Sequence, residues 1–169
     1  PILQAVSLDE YKKIFSDNVL HRYNEIMADV FYSAVQDIAV KYDGDASRIW
    51  SNRPSSAKVV YDFLQFKGVG PKIATMAANI LARQFKIPFS DYYSIDISPD
   101  VHILRVMRRT GLVSPNAELD SVIYKARELC PEFPGVIDFS CWEIGRAYCR
   151  PNNPNCRECI IRTECKKVF

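Results

Sequence analysis

Apolar residues recur at i, i+3 and i+4 along most of the chain, and nowhere hold the strict alternation of a strand pair. Ser7 with Glu10 three residues on is a capping-box pattern that opens a short helix to about Phe15. Asp17 or Asn18 then heads a long helix to about Lys41, with Tyr23, Ile26, Met27, Val30, Phe31 and Ile38 as its apolar positions. Asp43-Gly44-Asp45 breaks it, and Asp45 can cap a turn through Ile49 and Trp50. Pro54-Ser55-Ser56 starts the next helix, with Val59, Val60, Phe63 and Leu64 inward. An alanine-rich helix follows at about 72–86, and Asp100 stands as N-cap of one that stops at Gly111. Asn116 opens another to about Leu129, and a Pro131/Pro134/Gly135 turn leads to a last helix over about 136–148. The pattern predicts an all-α fold with an irregular tail.

Two interruptions stand out. Gly68 and Gly70 lie between two helical patterns, and Pro71 suits the first turn of the second, where its missing N–H costs nothing. The backbone amides of such a hairpin, at a helix N-terminus, can receive a phosphate; the plain alternative is a turn between two core helices. The second interruption, IPFSDYYSIDISP at 87–99, is a predicted loop with a short extended piece.

Composition adds little to this picture. At 169 residues, with 48% apolar and 25% charged side chains, the chain is ordinary globular protein, and no apolar run approaches the length of a membrane span. The opening PILQAVSLDEYKK has neither an initiator Met nor the form of a secretory signal, so a fragment or processed form in an intracellular compartment is expected. Net charge is only +2, but bases gather in the second half. Arg105, Arg108 and Arg109 share one helix without an acid, and six bases against two acids lie between Arg146 and Lys167. A solvated helix face explains any one of these groups as well as a polyanion does.

The tail carries the sharpest chemistry. Cys149, Cys156, Cys159 and Cys165 form C-x6-C-x2-C-x5-C within seventeen residues, among prolines and asparagines that favour tight loops. Disulfides are disfavoured without a secretory signal. Zinc and an iron–sulfur cluster both accept four thiolates, and the residues alone leave the two level. Cys130 and Cys141 fall outside the pattern and are expected, like Trp50 and Trp142, to pack in the interior.

Taken in order, the GVGPK hairpin, Asp100-Val101-His102 opening a helix, and the four-cysteine tail resemble the endonuclease III branch of the helix-hairpin-helix DNA glycosylase superfamily, over residues 7–167. The resemblance implies two helical lobes, 1–99 and 100–169, flanking a DNA-binding cleft. The helix-hairpin-helix would occupy about 58–86, and 87–99 would be a loop insertion. A [4Fe–4S] cluster in the loop 149–165 would be held by Cys149, Cys156, Cys159 and Cys165, with zinc as the alternative. The family's amine nucleophile falls on Lys72 and its essential carboxylate on Asp100. That pairing suits cleavage of an N-glycosidic bond, which needs a nucleophile at the anomeric carbon and a negative charge beside an oxocarbenium-like sugar. A Schiff base on Lys72 would then permit β-elimination of the strand. The implied partner is double-stranded DNA with a damaged, mismatched or abasic site, its target base turned out of the stack, bound by a monomer and without a membrane. Gly68, Val69 and Gly70 would contact phosphate, with His102, Arg157 and Arg162 as further candidates.

Three departures qualify the resemblance. Lys67 stands where the family has Pro before the first hairpin glycine, adding a candidate phosphate contact. Lys72 and Asp100 are 28 positions apart (100 − 72), longer than usual, so substrate choice is expected to lie in the 87–99 loop, with Tyr92 and Tyr93 able to stack on a base or simply to pack. The family's N-terminal segment has no counterpart, and is expected to come from outside this sequence or from another chain, or else complete base flipping is not performed. Two other readings follow: a monofunctional glycosylase using water activated by Asp100, and a DNA-binding module of the same fold without catalysis.

Overall fold

The computed structural model describes residues 2–168; the outer ends of the two expected lobes, residues 1 and 169, lie outside them. Among the described residues there are eight α-helices and no strand: α1 (Ile2–Ala5), α2 (Leu8–Asp17), α3 (Asn24–Lys41), α4 (Ser56–Leu64), α5 (Pro71–Arg83), α6 (Val101–Thr110), α7 (Leu119–Leu129) and α8 (Asp138–Ala147). Short 3-10 turns at Ala46–Ile49 and Pro134–Ile137 complete the regular structure. No helix is long and apolar enough to cross a membrane.

Local chemistry sets most of these boundaries. Ser7 and Glu10 form the reciprocal capping box at the head of α2. Asp45 accepts from the Ser47 amide, and Ser55 caps α4 by accepting from the Lys58 amide. Gly111 closes α6 in the left-handed region at φ 77°, where glycine has no steric penalty. Other limits lie away from the expected ones. Asn18 ends α2 rather than heading α3, which begins at Asn24 with no side-chain cap. Helix α5 stops at Arg83, because Lys86 turns to φ 56° and the Ile87 amide reaches back to the Leu81 carbonyl. Asn116 lies in the turn before α7, whose N-cap is Glu118.

Two apolar clusters hold the elements together. In the first half, α4 and α5 pack against each other, and Ile49, Val59, Phe66, Ala78, Phe89 and Ile95 are buried in one cluster, with Trp50 against it. In the second, α6 crosses α8 around Ile97, Ile103, Val106, Met107, Cys141 and Ile144, with Trp142 alongside. Helices α1 and α2 cover only one side of α3, so its apolar residues point several ways: Ala28 is buried, whereas Ile26, expected inward, is 65% exposed.

The 87–99 segment is interior structure. Phe89, Ile95, Ile97 and Ser98 are buried, and Asp91 binds the Ser56 hydroxyl and amide at the head of α4. Tyr92 stacks on Phe133 with ring centroids 5.0 Å apart, which settles it as a packing residue; Tyr93 is 61% exposed. Starting near the end of α5 and finishing beside its first turn, the segment is the return path that carries the chain from α5 to α6.

A Cβ on Gly145 would sit 2.8 Å from His102 Cβ and 3.0 Å from the His102 carbonyl oxygen, where α8 meets α6. Gly145→Ala is expected to cost about 1–3 kcal/mol by overpacking in urea unfolding. Gly70→Ala, whose Cβ meets nothing within 4 Å, should stay within about 1 kcal/mol of the parent in the same assay.

Candidate active site

The hairpin between α4 and α5 is built from backbone geometry. The Val69 amide closes a turn on the Phe66 carbonyl at 3.1 Å, and Gly68 takes φ 77° with its α-carbon close to Val30 of α3. Gly70 is the N-cap of α5 and offers no side-chain cap, so the free amides of the first turn face outward beside Pro71. Lys67 pairs with Asp29 of α3 at 2.5 Å; both are solvent-accessible, and such a pair contributes at most about 1 kcal/mol.

Lys72 lies on the exposed first turn of α5, and its amine has no partner among the described residues. Asp100 is the N-cap of α6: its Oδ1 accepts the amides of His102 at 2.8 Å and Ile103 at 2.9 Å. Oδ2 has no partner among the described residues, so the carboxylate is oriented at one oxygen and open at the other. Ser98, two residues earlier and buried, donates its hydroxyl to the Lys72 carbonyl at 3.3 Å and lies 3.1 Å from the Thr75 hydroxyl. Two residues of chain span at most about 7 Å, so this contact brings the head of α6 to the first turn of α5. The main chain of Lys72 and the turn into Asp100 are thus neighbours.

A second acidic group lies near Ser98 and was not foreseen. Asp138, at the first position of α8 and only 2% exposed, accepts the Ser98 amide at 2.5 Å. Burial raises its carboxyl above the ordinary range; the Ser98 amide opposes that, Asp100 adds to it, and Lys72 and Arg83 oppose it. Asp138 also lines a cavity along α5 with Met76, Asn79, Arg83, Lys86 and Phe139. In the sequence it reads only as an acid in a helix's first turn, a common surface role.

His102 is half-buried, with Nδ1 2.9 Å from the Arg105 guanidinium. The basic run of α6 is spent inside the molecule. Arg105 donates to the carbonyls of Cys149 and Gly145, Arg108 to that of Ala117, and Arg109 to those of Arg150 and Pro151. Arg157 is exposed, and Arg162 donates to the Arg157 carbonyl at 2.9 Å.

Cys149, Cys156, Cys159 and Cys165 line one cavity with Val106, Ile144 and Ile161, and Arg109 and Arg162 also border it. All four thiols are free and half-buried. The Cys165 thiol lies 3.5 Å from the Arg109 carbonyl, and the Arg109 guanidinium 3.6 Å from the Cys149 sulfur. Among the described residues no three His, Cys, Asp or Glu side chains are arranged around a single metal ion. Cys141 is buried with its thiol pushed up to about 11 by desolvation first and Asp138 second, as befits an inert interior residue.

Comparison with known proteins bears on this arrangement. The chain is 30% identical over 105 residues to Endonuclease III of Thermotoga maritima. The aligned part is 62% of this chain and 45% of that relative, so the chain spans under half of the relative's length. No family model matches. The similarity supports an endonuclease III-like relationship, in agreement with the all-helical architecture.

Because the Asp138 carboxyl is raised in the fold, its contribution to stability is fully present in acid, where it is protonated, and is lost as pH rises through its folded value. Asp138→Asn, which can still accept the Ser98 amide, should match the parent's stability in acid and exceed it at neutral pH. Urea titrations across that pH range check the sign.

Proposed function

We propose that this chain is the core of an endonuclease III-like DNA glycosylase that removes a damaged or mismatched base and then cleaves the strand at the abasic site. The observation that supports the reading is the Ser98 hydroxyl on the Lys72 carbonyl, which joins the main chain of the first turn of α5 to the turn leading into Asp100. The match to Endonuclease III supports it. In this reading the extruded nucleotide lies between the two apolar clusters, treated as two lobes meeting near residue 99. Lys72 attacks the anomeric carbon as the base leaves, and Asp100, through its open Oδ2, takes up the amine proton and stabilises the positive sugar. Opening of the C1′–O4′ bond, with a proton passing to O4′, then gives the Schiff base, and loss of a C2′ proton expels the 3′ phosphate by β-elimination. The first-turn amides of α5, with Gly68, Val69 and Gly70, hold a backbone phosphate in the manner of a helix-hairpin-helix. Lys67 adds to that contact when it leaves Asp29, and Arg157 and Arg162 approach the backbone from the cysteine loop.

The cysteine cavity suits a [4Fe–4S] cluster. Four thiols and apolar walls surround it, and two arginines offset negative charge. Cys149, Cys156, Cys159 and Cys165 would hold the cluster, which would serve as a structural cross-link with no part in bond cleavage.

Two measurements test these assignments. Borohydride should trap a covalent complex of the protein with an abasic duplex, Lys72→Gln should abolish it, and Asp100→Asn, which keeps the N-cap, should lower trapping about 100-fold or more with little loss of stability. Base release without strand cleavage would indicate a monofunctional enzyme, and duplex binding that survives both substitutions without any chemistry would indicate a binding module. Protein purified without oxygen should be brown with about four irons per chain. Colourless protein with stoichiometric zinc would overturn the cluster assignment.

A further inference from the structure

Beyond the two residues assigned to the chemistry, the buried carboxylate of Asp138 is held where it can act on both. Its Oδ2 accepts the Ser98 amide at 2.5 Å, and Ser98 in turn contacts Thr75 and the Lys72 carbonyl from α5. Pro99 alone separates Ser98 from Asp100, and proline's fixed φ leaves that link little freedom. Three elements thus meet at one serine: the first turn of α5, the end of the 87–99 segment and the first turn of α8. A carboxylate in the interior is costly, and a hydrophobic residue of similar size would serve packing better. Its retention is understandable if a charge is wanted there. The groups that face it are Lys72 and Arg83 from α5, Asp100 from the head of α6, and Cys141 from its own helix.

We propose that Asp138 is a positioning residue of the glycosylase site: through the Ser98 amide it sets where the Asp100 carboxylate stands relative to the Lys72 amine. This rests on the reading of Lys72 and Asp100 as the reacting pair. Asp138 touches neither substrate nor the reacting atoms. It acts by holding the end of the return segment against α5.

The test is single-turnover borohydride trapping with an abasic duplex, paired with binding to a duplex carrying a non-reactive tetrahydrofuran site, using the complete protein. Asp138→Ala should lower the trapping rate about tenfold or more while tetrahydrofuran-duplex affinity stays within about threefold, a misplacement effect rather than a binding one. Asp138→Asn, still able to accept the Ser98 amide, should recover most of the rate, as a carboxylate acting through that hydrogen bond requires. Circular dichroism melting establishes that both variants are folded. Parent-like rate in both variants would overturn the proposal and leave the Lys72–Asp100 reading standing. Equal losses of rate and affinity in Asp138→Ala, with no rescue in Asp138→Asn, would reduce Asp138 to a purely structural role and overturn it as well. Failure of the parent protein to trap would instead remove the reacting pair, and this proposal with it.

Discussion

At Gly135 the backbone comes so close to its neighbours that a Cβ would sit 2.8 Å from both the Ile95 carbonyl oxygen and the Asn79 amide nitrogen. In that space the Gly135 amide donates to Ile95 at 2.7 Å, and Asn79 of α5 donates to the Gly135 carbonyl at 2.7 Å. The contact is buried, so its hydrogen bonds are made without competition from water. It ties the connection before α8 to the return segment and to the middle of α5. Ile95, on one side of this crossing, enters the first apolar cluster, and Ile97, two residues on, enters the second. An extended backbone carries alternate residues on one face, so so short a step between cores requires the chain to bend as well as extend. Everything proposed for Lys72, Asp100 and Asp138 depends on that segment staying in register along α5.

The same economy governs charge. Three arginines on α6 could have formed a basic face, yet each guanidinium is directed at main-chain carbonyls, where a planar multi-donor group satisfies several acceptors at once. Arg105 and Arg109 thereby fasten the start of the cysteine loop to α6. The loop's other end is fastened by main chain, with Val168 donating to the Arg109 carbonyl at 3.0 Å. The cavity lined by the four thiols is thus held at both ends by one helix, which also begins with Asp100.

Side-chain orientation at the candidate site follows from helix termini. Asp100 serves both as a cap and as a proposed participant, which is economical because capping occupies one carboxylate oxygen and fixes the other. Lys72 owes its exposure to the hairpin, whose glycines keep bulk away from the first turn of α5. The raised Asp138 carboxyl reflects burial first, with the nearby Asp100 adding to it.

Helical periodicity, the Ser7–Glu10 and Asp45 caps, Asp100 and Gly111 were all legible in the chain, because they are interactions within a few residues of sequence. The GVGPK hairpin and the cysteine spacing were legible for the same reason, whereas Lys72 and Asp100 were singled out only through the resemblance that these motifs carry. The 87–99 stretch was read as a loop and holds no helix or strand; its prolines and serines report that absence of helix, and only tertiary packing reveals that Phe89, Ile95 and Ile97 fill two cores. Where the arginines of α6 go could not be read from the chain, since most of their carbonyl partners lie nine to forty-four residues away. Asp138 shows the division most clearly. Sequence determines that an acid begins a helix there, whereas burial, the Ser98 amide and the nearness of Lys72 arise only when three separate elements close on one another.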